Sequence, residues 1–402
     1  MYSLIYRAFG SLLSLLLVYF IAFKYTQNVA NDFFVMLSAV VFSSSLLKWG
    51  SEDYIFKSYS KGVSRYLIDR FIVKVSYHSI LIAILLLVIV HLFGLQHLYY
   101  AHYLAFIITL PMFVYSSLKA AQFQAESKFY LSSTISTYIV PLIIIASTQI
   151  FTISSLSNLI VVFLASYVVQ ALFSIKYSRK MNRHAKETMY LLKDSGVYSR
   201  RHLAYNNILG ISSIHLIILF SSYFLDPEKF TDFVIVIKTC QAALIMVVLL
   251  NFKFIPSFST CIRNGNYLSA NELVKNYILY GLSASLLVSV SALISINFFA
   301  HYIDPGVLLI IDQIYLLWPG YAANLAFGSI GYAFILLSQE KIPLMIGTAS
   351  MAGQLFVIYV FSNDFNVLLP MLALMVAFPK FYLLLFYFKN KSMLFSKFKS
   401  CR

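Results

Sequence analysis

The sequence predicts an all-α polytopic membrane protein, with about twelve transmembrane helices in two pseudo-symmetric six-helix bundles. Three observations lead there. Hydrophobic residues make up 60% of the chain and charged residues only 11%, where a soluble globular chain carries about 25% charge. Apolar stretches of roughly 20 residues, enough to cross a hydrocarbon core as helices, recur from end to end. The segments between them alternate between strongly basic and weakly acidic, which is the loop asymmetry of a membrane bundle.

The spans read 4–23, 31–50, 71–93, 99–120, 131–151, 157–175, 205–225, 232–254, 276–299, 308–337, 342–361 and 366–388. Arg7 sits in the first turns of span one, and Lys48 and Trp49 close span two. Lys74 and His78 are four apart on span three, hence on one face. Lys119 and Gln122 end span four. Asn206 and Asn207 open span seven, with His215 deeper. Lys238 and Gln241 are three apart on span eight, again on one face, and Lys253 closes it. The long tenth span holds Asp312, Pro319, Gly320, Gly328 and Gly331, and predicts a broken helix or one entered through an extended segment. Lys380 follows Pro379 well inside span twelve.

One set of loops holds Lys57, Lys61, Arg65 and Arg70, then Lys128, then eight basic residues from Lys176 to Arg201, then Arg263, Lys275 and Lys341, with a basic tail from Lys389. This is the basic end of the helices. The other, acidic end holds Lys24 and Lys229 beside Asp32, Asp226, Glu228, Asp232, Asp304 and Asp364. The asymmetry places both termini and the 176–204 loop in the cytoplasm, in agreement with an even number of spans. The expected organisation is a first bundle over 1–176, a basic linker over 177–203, a second bundle over 204–388 and a basic tail over 389–402. Asn31-Asp32-Phe33 and Thr231-Asp232-Phe233 open spans two and eight, and Gly10 and Gly210 lie in spans one and seven. Both pairs share one offset, which predicts two parallel repeats with a site between them. No small-residue cleavage site follows the first apolar run, so no cleavable leader is expected.

The net charge of +15 would suggest nucleic acid in a soluble protein, but here the charges flank apolar spans. Cys240, Cys261 and Cys401 fit neither a disulfide framework nor a zinc spacing. His91, His97 and His102 flank one short loop beside Tyr99, Tyr100 and Tyr103, where interfacial polar residues are the simpler reading than a metal site. No phosphate loop, metalloprotease or nucleophile-elbow motif occurs. A transporter without cofactor or metal is therefore expected, not an enzyme.

Lysines sunk in a bilayer are the informative residues. Most lie near the basic end, where Lys48, Lys74, Lys119 and Lys253 are expected to snorkel. Lys238 and Lys380 lie too deep, and such a residue faces the bundle interior or a wet cavity. Arg7, Lys48, Asn206, Asn207, Lys238, Gln241 and Lys380 are the candidates for a cationic, hydrogen-bonding cavity that takes an anionic headgroup. The competing reading pairs Lys238 with Asp232 and gives it a packing role only. Asp312 is the one carboxylate placed within a span, and is the candidate for ion coupling.

Twelve spans in two halves, the exit "WGSEDYIFKSYSKG" from span two, and "FIPSFS" at the close of span eight carry a family resemblance. The chain resembles the polysaccharide-exporter branch of the multidrug/oligosaccharidyl-lipid/polysaccharide (MOP) superfamily, whose O-antigen flippases commonly show a glycine and a basic segment after span two, here Gly50 through Lys57 and Lys61, and a proline after span eight, here Pro256. The usual arginine near the end of the first motif is replaced by Phe56-Lys57. The resemblance implies a MATE-like fold of two bundles that open alternately to each side. It implies as substrate an oligosaccharide repeat unit on undecaprenyl diphosphate, crossing the bacterial inner membrane. It also implies glycosyltransferases and a polysaccharide polymerase as partners. A major-facilitator or multidrug transporter and a membrane polymerase or glycosyltransferase are the rival readings. "KGVSRYLIDR" has the residues of the facilitator loop motif in the wrong spacing, and no loop is long enough for a polymerase's external domain.

Overall fold

A computed structural model describes residues 2–60, 64–92, 100–126, 128–151, 155–182, 197–299, 305–337, 339 and 341–400, with backbone alone at some helix ends. The described residues are helical and include no strand. The helices follow the predicted spans in order. Spans one to three are α1 (Tyr2–Lys24), α2 (Gln27–Lys48) and, after the short helix α3 (Ser51–Ser60), α4 (Arg65–Leu92). Span four is α5 (Tyr100–Ala125). Span five is α6 (Phe129–Ser133) and α7 (Ile139–Ile150), joined by a π-helical turn over Thr134–Tyr138, and span six is α8 (Leu156–Asn182). Span seven is α9 (Val197–Ser221). Span eight divides into α10 (Pro227–Ala243) and α11 (Ile245–Arg263), and span nine is α12 (Tyr267–Phe299). Span ten divides into α13 (Pro305–Phe327) and α14 (Ile330–Leu336). Spans eleven and twelve are α15 (Lys341–Phe361) and α16 (Phe365–Ser400). Eight of these stretches are long and apolar enough to cross a membrane by length and composition.

The division of span ten falls at Gly328-Ser329, while α13 runs unbroken through Pro319. Span eight divides at Leu244, whose N–H bonds the Gln241 carbonyl at 2.9 Å while its own carbonyl accepts from Val247 at 3.0 Å. These short-range bonds tighten the chain into a 3₁₀-type turn and bend it. The two divisions touch: a Cβ on Gly328 would lie 2.7 Å from Val247 Cγ1, so only glycine lets the helices meet there. Because α11 continues to Arg263, Pro256 lies within a helix and not after one, as the sequence reading had it.

Contacts divide the chain into two compact units, Met1–Leu219 and Phe220–Arg402. In the first, α5 is central and packs against α2, α4 and α8, and α8 also packs against α7. The second repeats this scheme: α13 packs against α10, α12 and α16, and α16 also against α15. The burial pattern from Tyr25 to Phe34 recurs almost residue for residue from Leu225 to Val234. Phe33 and Phe233 are both fully buried. Each meets an aromatic ring of its own unit edge-on, Phe163 on α8 at 5.6 Å and Phe365 on α16 at 6.2 Å. The shared motif thus marks a structural repeat.

One extra residue distinguishes span five. The π turn presents Thr134, Thr137 and Tyr138 to α1, where Tyr6 Oη lies 2.9 Å from Thr134 Oγ1, the Tyr138 hydroxyl donates to the Tyr6 carbonyl, and the two tyrosine rings stack at 4.4 Å. Gly10 sits against this turn.

Candidate functional site

Within the second unit, α10 has a periodic apolar face, Phe230, Phe233, Val234 and Ile237, that buries against its neighbours. Lys238 and Gln241 follow on the helix. Lys238 is half-buried. No carboxylate lies within ion-pair distance of it among the described residues, and no charged group stands beside it. Asp232, the partner considered for it, instead meets the Gln313 amide on α13. The packing-only reading of Lys238 therefore has no partner among the described residues. Gln241 lies beside the Tyr321 hydroxyl, and its amide nitrogen is buried without a hydrogen bond.

Lys380 on α16 is likewise half-buried, with no ion pair among the described residues. Four contacts set its height relative to Lys238. Asp232 meets Gln313 and Gln241 meets Tyr321, so α10 and α13 run parallel. Gly320 lies against the Ala373 backbone and Phe327 packs on Phe381 at 5.2 Å, so α13 and α16 also run parallel. Lys238 is then level with Pro319 and Lys380 with Phe327, about eight residues or roughly 12 Å apart along the helices at 1.5 Å per residue. Lys380 is nearer the basic end.

The first unit treats its cations differently. Lys119 is 2% exposed and donates to Asp69 Oδ1 at 2.6 Å, Ser178 Oγ at 2.9 Å and Gln122 Oε1 at 3.0 Å. Gln122 Nε2 donates to the same Asp69 oxygen at 2.6 Å. Arg65 Nε lies 3.3 Å from Glu126 Oε1, and Lys128 Nζ 2.6 Å from the other Glu126 oxygen. Lys48 is buried too, pairs with Glu52 at 2.7 Å and lies over the Phe113 ring. Snorkelling was expected of Lys48 and Lys119; both turn inward instead, because carboxylates are within reach. Lys74 is exposed, as expected, and the Lys253 side chain lies outside the described residues.

Of the other candidates, Arg7, Asn206 and Asn207 lie on α1 and α9 with side chains outside the described residues. Asp312 is exposed on α13. Sequence reasoning missed the Asp69 and Glu126 network. Its signals were present, with Asp69 one turn after Arg65 and Gln122 one turn after Lys119, but span three was started at residue 71, which left Asp69 outside. No group of three or more potential metal ligands occurs among the described residues.

No family model and no curated protein matches the sequence. Solved structures do match over nearly the whole chain. A variant of the Vibrio cholerae MATE transporter VcmN aligns with a TM-score of 0.70 at 13% identity, over 98% of this chain and 96% of that one. A MOP superfamily transporter from Pyrococcus furiosus, described as having a binding pocket of reverse polarity, aligns at 0.64 and 12% identity, over 99% and 96%. The lipid II flippase MurJ in an inward closed conformation aligns at 0.59 and 15% identity, over 99% and 88%. At these identities the likeness is one of architecture: the chain has the all-α, MATE-like fold that MOP transporters share.

Proposed function

We propose that the chain is a flippase that moves undecaprenyl-diphosphate-linked oligosaccharide repeat units, O-antigen or a related polysaccharide, from the cytoplasmic to the periplasmic leaflet of a bacterial inner membrane. The observation that carries this reading is Lys238, a half-buried lysine inside an apolar helix with no ion-pair partner among the described residues. An intramembrane cation marks a substrate path. One ammonium and one phosphate oxygen about 4 Å apart attract by about 4 kcal/mol at an effective dielectric of 20. Gln241, one turn after Lys238 and beside the Tyr321 hydroxyl, is the hydrogen-bonding residue for the same headgroup in this reading. The prenyl tail stays in lipid while the diphosphate and sugars pass.

In this reading the 177–203 linker and the 389–402 tail lie at the cytoplasmic surface with both termini. Lys48, Arg7, Asn206, Asn207 and Lys380 complete the path, with Lys48 exchanging its Glu52 partner for substrate. Glycosyltransferases supply the repeat unit and a polymerase receives it. Two negative charges moving outward gain about 2.3 kcal/mol each per 100 mV of inside-negative potential, so voltage can drive the cycle without a dedicated ion site.

A multidrug exporter is the second reading, favoured by the likeness to MATE structures. A cation exporter needs an uncompensated carboxylate within the bundle. Asp69 is paired with Lys119 and Asp312 is exposed, while Asp232, which meets the Gln313 amide, stands near the acidic end of α10; the cation deeper on that helix, Lys238, favours the anionic substrate. The test is Lys238→Ala in cells that make the polysaccharide. Surface polysaccharide is expected to disappear at unchanged protein level, lipid-linked units to accumulate on the cytoplasmic face, and Lys238→Arg to retain part of the function. Normal polysaccharide in the alanine variant overturns the assignment.

A further inference from the structure

Arg70, Lys74 and His78 follow one another at four-residue spacing on α4, so they share one face of the helix. All three are exposed, and none has an ion pair among the described residues. The surface around and beyond them is apolar, with Val73, Leu81, Ile84, Leu85 and Val88 exposed. An apolar helix face of this kind is one that lipid covers. His78 commits its Nδ1 to the Lys74 carbonyl, 2.6 Å away, which leaves the two long basic side chains as the ones able to reach a headgroup. We propose that Arg70 and Lys74 bind the phosphate of an anionic phospholipid at the basic end of the first unit, with its acyl chain along Leu81, Leu85 and Val88.

Neighbouring cations of the same unit have carboxylates of their own: Lys48 has Glu52, Lys119 has Asp69, and Arg65 and Lys128 share Glu126. Arg70 and Lys74 have none, and they stand one turn apart, close enough for both to meet one phosphodiester. The second unit supplies an internal control. There α12 packs on α13 as α4 packs on α5. Ile68, Ile72, Ser79 and Ala83 are buried on α4, and Ala270, Val274, Gly281 and Ser285 are buried on α12 at one common offset. At that offset the exposed Arg70, Lys74 and His78 correspond to Glu272, Asn276 and Tyr280, which are exposed as well. The helix scheme therefore does not require cations at these positions, and only the first unit offers an anion a place there. Length selects the occupant. Lys74 to Leu85 spans about 17 Å at 1.5 Å per residue, close to half of a hydrocarbon core about 30 Å thick. That is the reach of an acyl chain within one leaflet, whereas the tail of a polyprenyl carrier is longer than the strip.

The test follows the thermal midpoint of the full chain in detergent against dioctanoyl phosphatidylglycerol and dioctanoyl phosphatidylcholine, since a bound lipid raises the midpoint by mass action. Phosphatidylglycerol is expected to act at about tenfold lower concentration, the advantage that two basic residues near a membrane surface give an anionic lipid. Arg70→Gln combined with Lys74→Gln is expected to erase that advantage. The lipid-free midpoint and the response to phosphatidylcholine are expected to stay unchanged, because both residues are exposed. Arg70→Lys, which keeps the charge, is expected to retain most of the preference, and Lys275→Gln on α12 all of it. Equal action of the two lipids on the wild type, a preference that survives the double variant, or an equal loss in Lys275→Gln overturns the inference. Farnesyl diphosphate is run in parallel. If it acts more strongly than phosphatidylglycerol and its effect is lost in the double variant, the stripe serves a prenyl carrier and the phospholipid assignment falls.

Discussion

In the first unit a ring of side chains from α4, α5 and α8 joins Lys119 to Asp69, Gln122 and Ser178 at distances of 2.6 to 3.0 Å. In the second, α12 and α16 occupy the places of α4 and α8. There the packing beside the α13–α14 break is apolar: Phe254, Phe258, Tyr277, Phe334 and Tyr387 pack with Leu383 and Leu394. The two units share a helix scheme and differ in where they put charge. One closes its lysines with its own carboxylates, and the other leaves Lys238 and Lys380 open. A repeat can therefore hold its own shape with ion pairs, or hold it with aromatic packing and keep cations free for a ligand.

The largest test of this contrast is Asp69→Ala. It leaves Lys119 buried without a counter-charge, and breaking a buried pair costs about 3–5 kcal/mol. The thermal midpoint of the purified protein and its level in membranes are expected to fall sharply. Asp69→Leu combined with Lys119→Met is expected to recover most of the loss, because two apolar side chains replace an ion pair at little cost. A single Asp69→Ala variant as stable as the parent removes the structural role from the network.

Lys238→Met is expected to act with the opposite sign. A central lysine costs about 2.5–3.5 kcal/mol on insertion scales, so removing one that has no partner gives an unchanged or raised thermal midpoint. Lys119→Met, measured beside it, is expected to lower the midpoint because Asp69 loses its cation. The same substitution thus separates the two units by sign. A fall of equal size for both lysines breaks the comparison.

The meeting of Gly328 with Val247 offers a middle-sized effect specific to the second unit. A valine at 328 places its Cβ 2.6 Å from the Asn324 carbonyl and 2.7 Å from Val247 Cγ1. Overpacking of this kind costs about 1–3 kcal/mol. Gly328→Val is expected to lower stability by that order, and Val247→Ala in the same chain to restore the part due to the side-chain clash. No recovery in the double variant places the whole strain on the backbone carbonyl.

How much of this was legible beforehand follows from the physics each feature rests on. Helix number, order and the repeat were readable, because a bilayer demands long apolar stretches and the Asp-Phe motif recurs at one offset. A broken helix or an extended entry in span ten was expected from Pro319, Gly320, Gly328 and Gly331, and the break fell at Gly328 and not at Pro319. The break at Leu244 had no signal, since nothing in "TCQAALIMVV" carries glycine or proline. Lys48 and Lys119 were misread because snorkelling was judged from depth, whereas their fate is set by Glu52 and Asp69. The contact of Lys119 with Asp69 joins two spans, and sequence spacing along one helix cannot show it.

The smallest effect tests the repeat itself at Gly10 and Gly210, equivalent in sequence and unlike in surroundings. A Cβ on Gly10 would lie 2.8 Å from Thr137 Cβ and 2.9 Å from Tyr138 Cε2, on the π turn that α1 packs against. Nothing lies within 4 Å of the same position on Gly210. Alanine in a helix is favoured over glycine by up to about 1 kcal/mol. Gly210→Ala is therefore expected to be neutral or slightly stabilising. Gly10→Ala gains the same propensity but must displace the Thr137 and Tyr138 side chains, the second of which holds α1 through its contacts with Tyr6. It is expected to lower the thermal midpoint by a few degrees. If the two alanine variants melt together, α1 does not depend on close approach to the π turn, and the extra residue in span five has no packing role. If only Gly10→Ala falls, the first unit is the one built on contact, in keeping with the way it holds Lys119.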